Sequence, residues 1–277
     1  MTILRNGIGS SVESPYDLMK SIQPQSPGSP TSQPKYDFDG NDNGQVWLSR
    51  VARRRGVQLI YADAGSAPGY MKNNNNDSFG GYLCGVTGIS CTSGDWKQAY
   101  ASYLVAYLKF YFDAGIAVNQ VGFLNEPDLN TSYASMLSSG KQAAEFLRVF
   151  HPTLKASGLN TSIVCCDGGG WEDGRQQLEE LKSAGAEEML DIVSAHGYKQ
   201  NPSLPFDTSK RVWQTEWADL NGPATLAWYR NGSSGEGLTW ALNIQQAYAV
   251  SNVSAFLYWL GAGNESTNSA LILLRKR

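Results

Sequence analysis

Residues 119–127 read Asn119-Gln120-Val121-Gly122-Phe123-Leu124-Asn125-Glu126-Pro127, an apolar run that closes on an amide, a carboxylate and a proline. A strand apolar on both faces belongs in a parallel sheet covered by helices. A carboxylate at its end faces partial burial, so it needs a partner or a task. The layout recurs along the chain. Residues 57–63 run into Asp63-Ala64-Gly65-Ser66-Ala67-Pro68, 162–167 into Asp167-Gly168-Gly169-Gly170-Trp171, 190–196 into His196-Gly197-Tyr198, and 211–216 into Thr215-Glu216-Trp217. With 2–7 and 255–260 the strand-like runs number seven. Helical spacing predicts helices over 47–55, 95–114 (with Ser93 as its cap), 141–156, 174–184 and 238–250. This alternation is that of an α/β fold. Chemistry-bearing residues at the ends of several strands point to a (β/α)8 barrel of the TIM type, filling residues 1–277 as a single catalytic domain. A dinucleotide fold would concentrate its signal in one glycine-rich turn, and Gly7-Ile8-Gly9-Ser10 lacks the third glycine.

Composition narrows the partners. The 277 residues are 42% hydrophobic and 17% charged, a globular balance, and 22 basic against 25 acidic side chains leave −3. Nothing here invites a phosphate backbone, and no apolar run nears the ~18–20 residues that cross a bilayer. Neither nucleic acid nor membrane is therefore expected. Arg53-Arg54-Arg55 reads as a solvated helix end and Arg275-Lys276-Arg277 as a tail. Cys84 and Cys91 bracket a glycine-rich stretch and are expected to bridge, whereas Cys165 and Cys166, neighbours on a strand, read as two buried apolar residues. Six Asn-x-Ser/Thr acceptor sites, at Asn76, Asn130, Asn160, Asn231, Asn252 and Asn264, favour a secreted glycoprotein. Met1-Thr2-Ile3-Leu4-Arg5 already reads as a strand, not a leader peptide. The Pro/Ser/Gly-rich residues 23–43 read as a long loop on the catalytic face.

Metal and nucleophile chemistry are poorly supplied. The histidines, His151 and His196, lie on different elements, with no Cys-x-x-Cys, no Gly-x-Ser-x-Gly elbow and no phosphate loop. What remains is Glu126 and Glu216, each at a strand end. Two carboxylates on one barrel mouth can cleave a glycosidic bond, one protonating the leaving oxygen and the other stabilising or bonding the anomeric carbon. Eight Trp and 14 Tyr, several at strand ends, supply faces on which sugar rings stack.

These residues resemble glycoside hydrolase family 30, and most of all its fungal xylanase branch. The likeness lies in Ile3-Leu4-Arg5-Asn6 with Ile8-Gly9-Ser10-Ser11, Tyr61-Ala62-Asp63-Ala64 with Ser66-Ala67-Pro68-Gly69-Tyr70-Met71-Lys72, Gly122-Phe123-Leu124-Asn125-Glu126-Pro127, and Trp213-Gln214-Thr215-Glu216-Trp217-Ala218-Asp219-Leu220. The resemblance implies that Glu126 is the general acid/base and Glu216 the nucleophile of a retaining mechanism. It further implies that Asn125 binds a sugar hydroxyl or the nucleophile, that His196 and Tyr198 orient Glu216, and that Trp217 and Trp259 contribute to the sugar site. No metal and no cofactor are implied; the expected partner is xylan, met by a monomer. By the family's strand count this chain starts at strand two, so the expected barrel lacks its first strand and the accessory β-sandwich. Gly65 stands where the family has Trp. Two other readings follow: a glycosidase of the same family acting on another β-glycan such as β-1,6-glucan, or an inactive, carbohydrate-binding relative.

Overall fold

The seven expected strands form and pair in parallel. The computed structural model describes residues 1–11, 19–264 and 266–274, which leaves the basic tail 275–277 outside the described residues. Two compact units divide the chain, residues 1–166 with 176–191 and residues 167–175 with 192–277.

In the first unit β1 (Ile3–Ile8), β2 (Leu59–Ala64), β3 (Gln120–Gly122) and all but the last two residues of β4 (Ser162–Gly168) pair in sequence order, through Ile3↔Leu59, Tyr61↔Gln120 and Gln120↔Ser162. Three of its helices are α1 (Gln45–Arg54), α2 (Lys97–Asp113) and α3 (Gly140–Ala156). Strand order that rises steadily, without reversal, is barrel order and not that of a doubly wound sheet. The tyrosines at helical spacing in α2 (Tyr100, Tyr103, Tyr107 and Tyr111) are all buried. Phe146 of α3 packs 5.0 Å from the Tyr100 ring and 5.1 Å from Phe123, just past β3. The start of α3 is fixed by Ser139, whose hydroxyl accepts the Gln142 N–H while the Gln142 side chain accepts the Ser139 N–H.

Residues 23–43 contain no helix or strand, as expected of a loop. Asp42 docks its end. The buried carboxylate accepts from Tyr107 (2.9 Å), Tyr111 (2.5 Å) and Gln45 (2.9 Å), and Gln45 in turn exchanges two hydrogen bonds with the Gly7 backbone. Burial pushes the Asp42 carboxyl above its usual range, against the pull of the two phenols.

In the second unit β5 (Ile192–His196), β6 (Arg211–Glu216) and a short run at Ala255–Phe256 are parallel. Between them, β7 (Asp219–Pro223) pairs antiparallel with Thr267–Asn268. Helix α4 (Trp171–Ser183) crosses the division between the units, and α5 (Gly237–Ala249) lies wholly in the second.

Three expectations need correcting. Ser93 does not cap α2: Trp96 is the cap residue, and the Ser93 hydroxyl accepts from its indole N–H at 3.0 Å. The third strand stops at Gly122 and not near 125: its ladders to both neighbours end there, and the chain leaves extended backbone at Glu126, φ 48°. Cys84 and Cys91 are bridged as expected, but Cys165 and Cys166 are also joined to each other. Strand alternation, which would separate neighbouring side chains, breaks down there, and the next residue, Asp167, takes φ 45°.

Lys72 shows what such a loop-rich fold asks of one side chain. It is buried, and its ammonium donates to the Ser135 carbonyl at 2.7 Å and the Asp77 carbonyl at 3.3 Å, tying two loops together. Burial, opposed by the nearby Asp77 charge, lowers its pKa from 10.5 to about 7. An unfolded lysine stays protonated up to about 10.5, so the unfolded chain binds more protons across that window. Stability should therefore rise between about pH 7 and about pH 10. In Lys72→Met that rise should disappear from urea midpoints taken across the same range.

Candidate functional site

Each unit carries one of the two glutamates. In the first, β2 and β3 approach so closely that Gly122 has room for no side chain. A Cβ there would lie 2.0 Å from the Asp63 carboxylate and 2.5 Å from the Tyr61 hydroxyl. Asp63 accepts from Arg5 at 2.8 Å, Arg5 also donates to the Asn125 side-chain oxygen at 2.6 Å, and its guanidinium stands 5.6 Å from the Tyr61 ring centre. Arg5 thereby sets the orientation of Asn125: the oxygen faces the cation, leaving the amide N–H groups to point elsewhere.

Glu126 follows with φ 48° and is only 5% exposed. Five of the eight non-glycine residues with positive φ among those described are Asn or Asp, which tolerate that region; glutamate does so at a cost of about 1–3 kcal/mol. The turn is held by the Leu129 N–H on the Glu126 carbonyl (2.9 Å) and the Ser138 N–H on the Pro127 carbonyl (3.1 Å). Tyr133, 43% exposed on the same loop, donates its hydroxyl to the Glu126 carboxylate at 2.6 Å. The loop is stapled to residues 72–80 through Ser135, whose hydroxyl accepts the Gly80 N–H, and through the Phe79 N–H on the Thr131 carbonyl. Gly65 backs onto this loop. A Cβ there would meet both the Ala134 methyl and carbonyl at 3.1 Å, a tight contact.

In the second unit Glu216 ends β6, 7% exposed. Tyr198 donates to its Oε1 at 2.9 Å, and the fully buried His196 holds Nε2 3.8 Å from its Oε2. The backbone is pinned as well, since the Glu216 carbonyl accepts from the Gln214 side chain (2.7 Å) and the Gly197 N–H (3.2 Å). Trp217 is buried edge-on against Trp240 at 5.1 Å and presses so near Gly197 that a Cβ there would sit 2.4 Å from its ring. Trp259 donates its backbone N–H to the Trp217 carbonyl and is 38% exposed.

The two glutamates are the residues that strand ends single out, whereas the roles expected of Asn125, His196 and Tyr198 come from the resemblance. Tyr133 and Arg5 were missed, because a donor arriving from a loop or a neighbouring strand leaves no periodic mark. Asp167 and Thr215 had the same strand-end signal as Glu126 and Glu216 and could have been found by it.

With this geometry in view, the likeness to known proteins is specific. A family model described as O-Glycosyl hydrolase family 30 matches residues 31–206. The catalytic domain of GH30 xylanase C from Talaromyces cellulolyticus is 49% identical and superposes with a TM-score of 0.91, over 97% of this chain and 60% of that one. Endo-1,6-beta-D-glucanase neg1 of Aspergillus fumigatus is 29% identical over 47% of this chain and 29% of its own length. Putative glucosylceramidase 2 of Caenorhabditis elegans is 26% identical over 52% and 28%. The match thus spans less than a third of each of these two curated relatives. Parallel strands alternating with helices, and this likeness, make the fold an α/β one of the TIM-barrel type.

Removing the Arg5 guanidinium leaves the buried Asp63 carboxylate without its cation. Arg5→Met should cost about 3 kcal/mol in urea unfolding. A loss under ~0.5 kcal/mol, the range of ordinary surface substitutions, would show that the pair does not organise this end of the sheet.

Proposed function

Because the chain belongs to O-glycosyl hydrolase family 30, we propose that it is a secreted, retaining β-1,4-xylanase cutting xylan or glucuronoxylan. The observation that carries this reading is Glu216, a carboxylate withheld from water at the end of a parallel strand with a phenol hydroxyl 2.9 Å from it. Glu216 attacks the anomeric carbon as the bond to the leaving oxygen breaks, forming a glycosyl ester, and Glu126 gives its proton to that oxygen. Glu126, now ionised, takes a proton from water, which attacks the same carbon and frees Glu216. The Tyr198 hydroxyl fixes the rotation of the Glu216 carboxylate, with His196 beside it. Asn125, its oxygen occupied by Arg5, has N–H groups to donate to a sugar oxygen. Partly exposed Trp259 would stack on a sugar ring, tied by its backbone N–H to the carbonyl of buried Trp217.

Xylan is favoured over other β-glycans by the 49% identity to a xylanase across nearly the whole chain. The 29% identity to a β-1,6-glucanase over about half of it supports the second reading less strongly. Export is supported by the Cys84–Cys91 bridge and the six acceptor sites. Among the described residues no helix is long and apolar enough to cross a membrane.

Reducing-sugar release from a panel of xylan, glucuronoxylan and β-1,6-glucan tests the substrate, with xylan or glucuronoxylan expected to lead. Greater release from β-1,6-glucan would move the assignment to that substrate. Glu216→Gln should lose turnover on every substrate. Glu126→Ala should fall by about 10²–10⁴-fold on xylan, which needs its leaving oxygen protonated, and far less on an aryl xyloside with a good leaving group. Equal losses on both substrates would contradict the acid/base role.

A further inference from the structure

The β5–β6 ladder is irregular at one place. Ala195 pairs with Gln214 and the next residue, His196, pairs with Glu216, so Thr215 is the extra residue of a bulge. A bulge bends its strand and re-aims the side chains that follow it. Here the side chain that follows is Glu216. The bulged residue is not left to itself. Its hydroxyl donates to Asp167 Oδ1 at 2.5 Å and lies 3.4 Å from the Ala195 carbonyl.

Asp167 is 1% exposed and has no part in the chemistry described above. It sits at the end of β4 with φ 45°, and its own N–H donates to the Ser194 hydroxyl of β5 at 3.2 Å. Its second oxygen lies 3.8 Å from His196 Nε2, the same atom that stands 3.8 Å from Glu216 Oε2. One buried carboxylate therefore reaches Glu216 by two routes, the hydroxyl of the adjoining residue and a shared imidazole. Burying an ionisable carboxyl is costly, and a carboxyl needed only to fill space could be an amide or an apolar residue.

We propose that Asp167 is a positioning residue for the nucleophile: by holding the Thr215 hydroxyl it fixes the bulge that aims Glu216, with the His196 ring alongside both carboxylates. This rests on the reading of Glu216 as nucleophile. Thr215→Val keeps the shape of the bulged residue and removes its hydroxyl, Thr215→Ser restores the hydroxyl, and Asp167→Asn keeps an acceptor and removes the charge.

The test is covalent trapping by a 2-deoxy-2-fluoro-xylobioside bearing a dinitrophenolate leaving group, which reads formation of the glycosyl ester alone. Mass spectrometry of the peptides locates the label, and circular dichroism with thermal melting verifies the fold. Thr215→Val and Asp167→Asn should trap about 10–100-fold more slowly at saturating reagent, with the half-saturating concentration little changed, and Thr215→Ser should recover most of the rate. Label on Glu216 at the wild-type rate in Thr215→Val and Asp167→Asn would overturn the positioning role and leave the nucleophile in place. Label on another residue in the wild type would overturn the nucleophile reading, and this proposal with it. If Asp167→Asn does not fold, the Val and Ser substitutions at Thr215 decide the matter alone: equal trapping rates in the two contradict the proposal.

Discussion

Hydrogen bonds from tyrosine hydroxyls to buried carboxylates organise the polar interior of this protein. Tyr133 donates to Glu126, Tyr198 to Glu216, and Tyr107 with Tyr111 to Asp42. A chain with 14 tyrosines and only 17% charged residues has many phenols and few cations to spend on its buried acids. The choice has a chemical consequence. A guanidinium beside a carboxylate holds it ionised, whereas a phenol gives a directional bond without a full opposing charge. Arg5 donates to Asp63, while Tyr133 and Tyr198 donate to Glu126 and Glu216.

The strand ends give those bonds their geometry. β3 ends at Gly122, where Asp63 and Tyr61 leave no room for a side chain, and the chain then turns into the left-handed conformation of Glu126. β6 reaches Glu216 through a bulge tied down by Asp167. In each unit a strand-end carboxylate is reached only after a departure from regular backbone. Departures of this kind persist only where their surroundings hold them, and the stapled loop around Ser135 and the Thr215–Asp167 bond are those surroundings.

Much of this was legible in the sequence. Seven strands announced themselves as apolar runs between helical patterns, and Glu126 and Glu216 as charges where such runs end. Boundaries were less legible. The third strand read three residues too long because Phe123 and Leu124 are buried like strand residues although the ladder has ended. β7 was missed because Asp-Leu-Asn-Gly-Pro has the composition of a turn, and only its pairing with Thr267–Asn268 makes it a strand. Ser93 looked like a cap, but its oxygen is taken by an indole. Tyr133 and Arg5 reach the site from places that no local pattern marks, Arg5 being 120 residues from Asn125 in the chain.

The central proposal is a retaining mechanism with Glu216 as nucleophile and Glu126 as acid/base. Proton NMR of the anomeric signals during the first minutes of xylan hydrolysis, before mutarotation scrambles them, tests it most directly. New reducing ends should appear as the β anomer and drift toward equilibrium only later. Initial release of the α anomer would mean a single displacement by water, and would contradict the account.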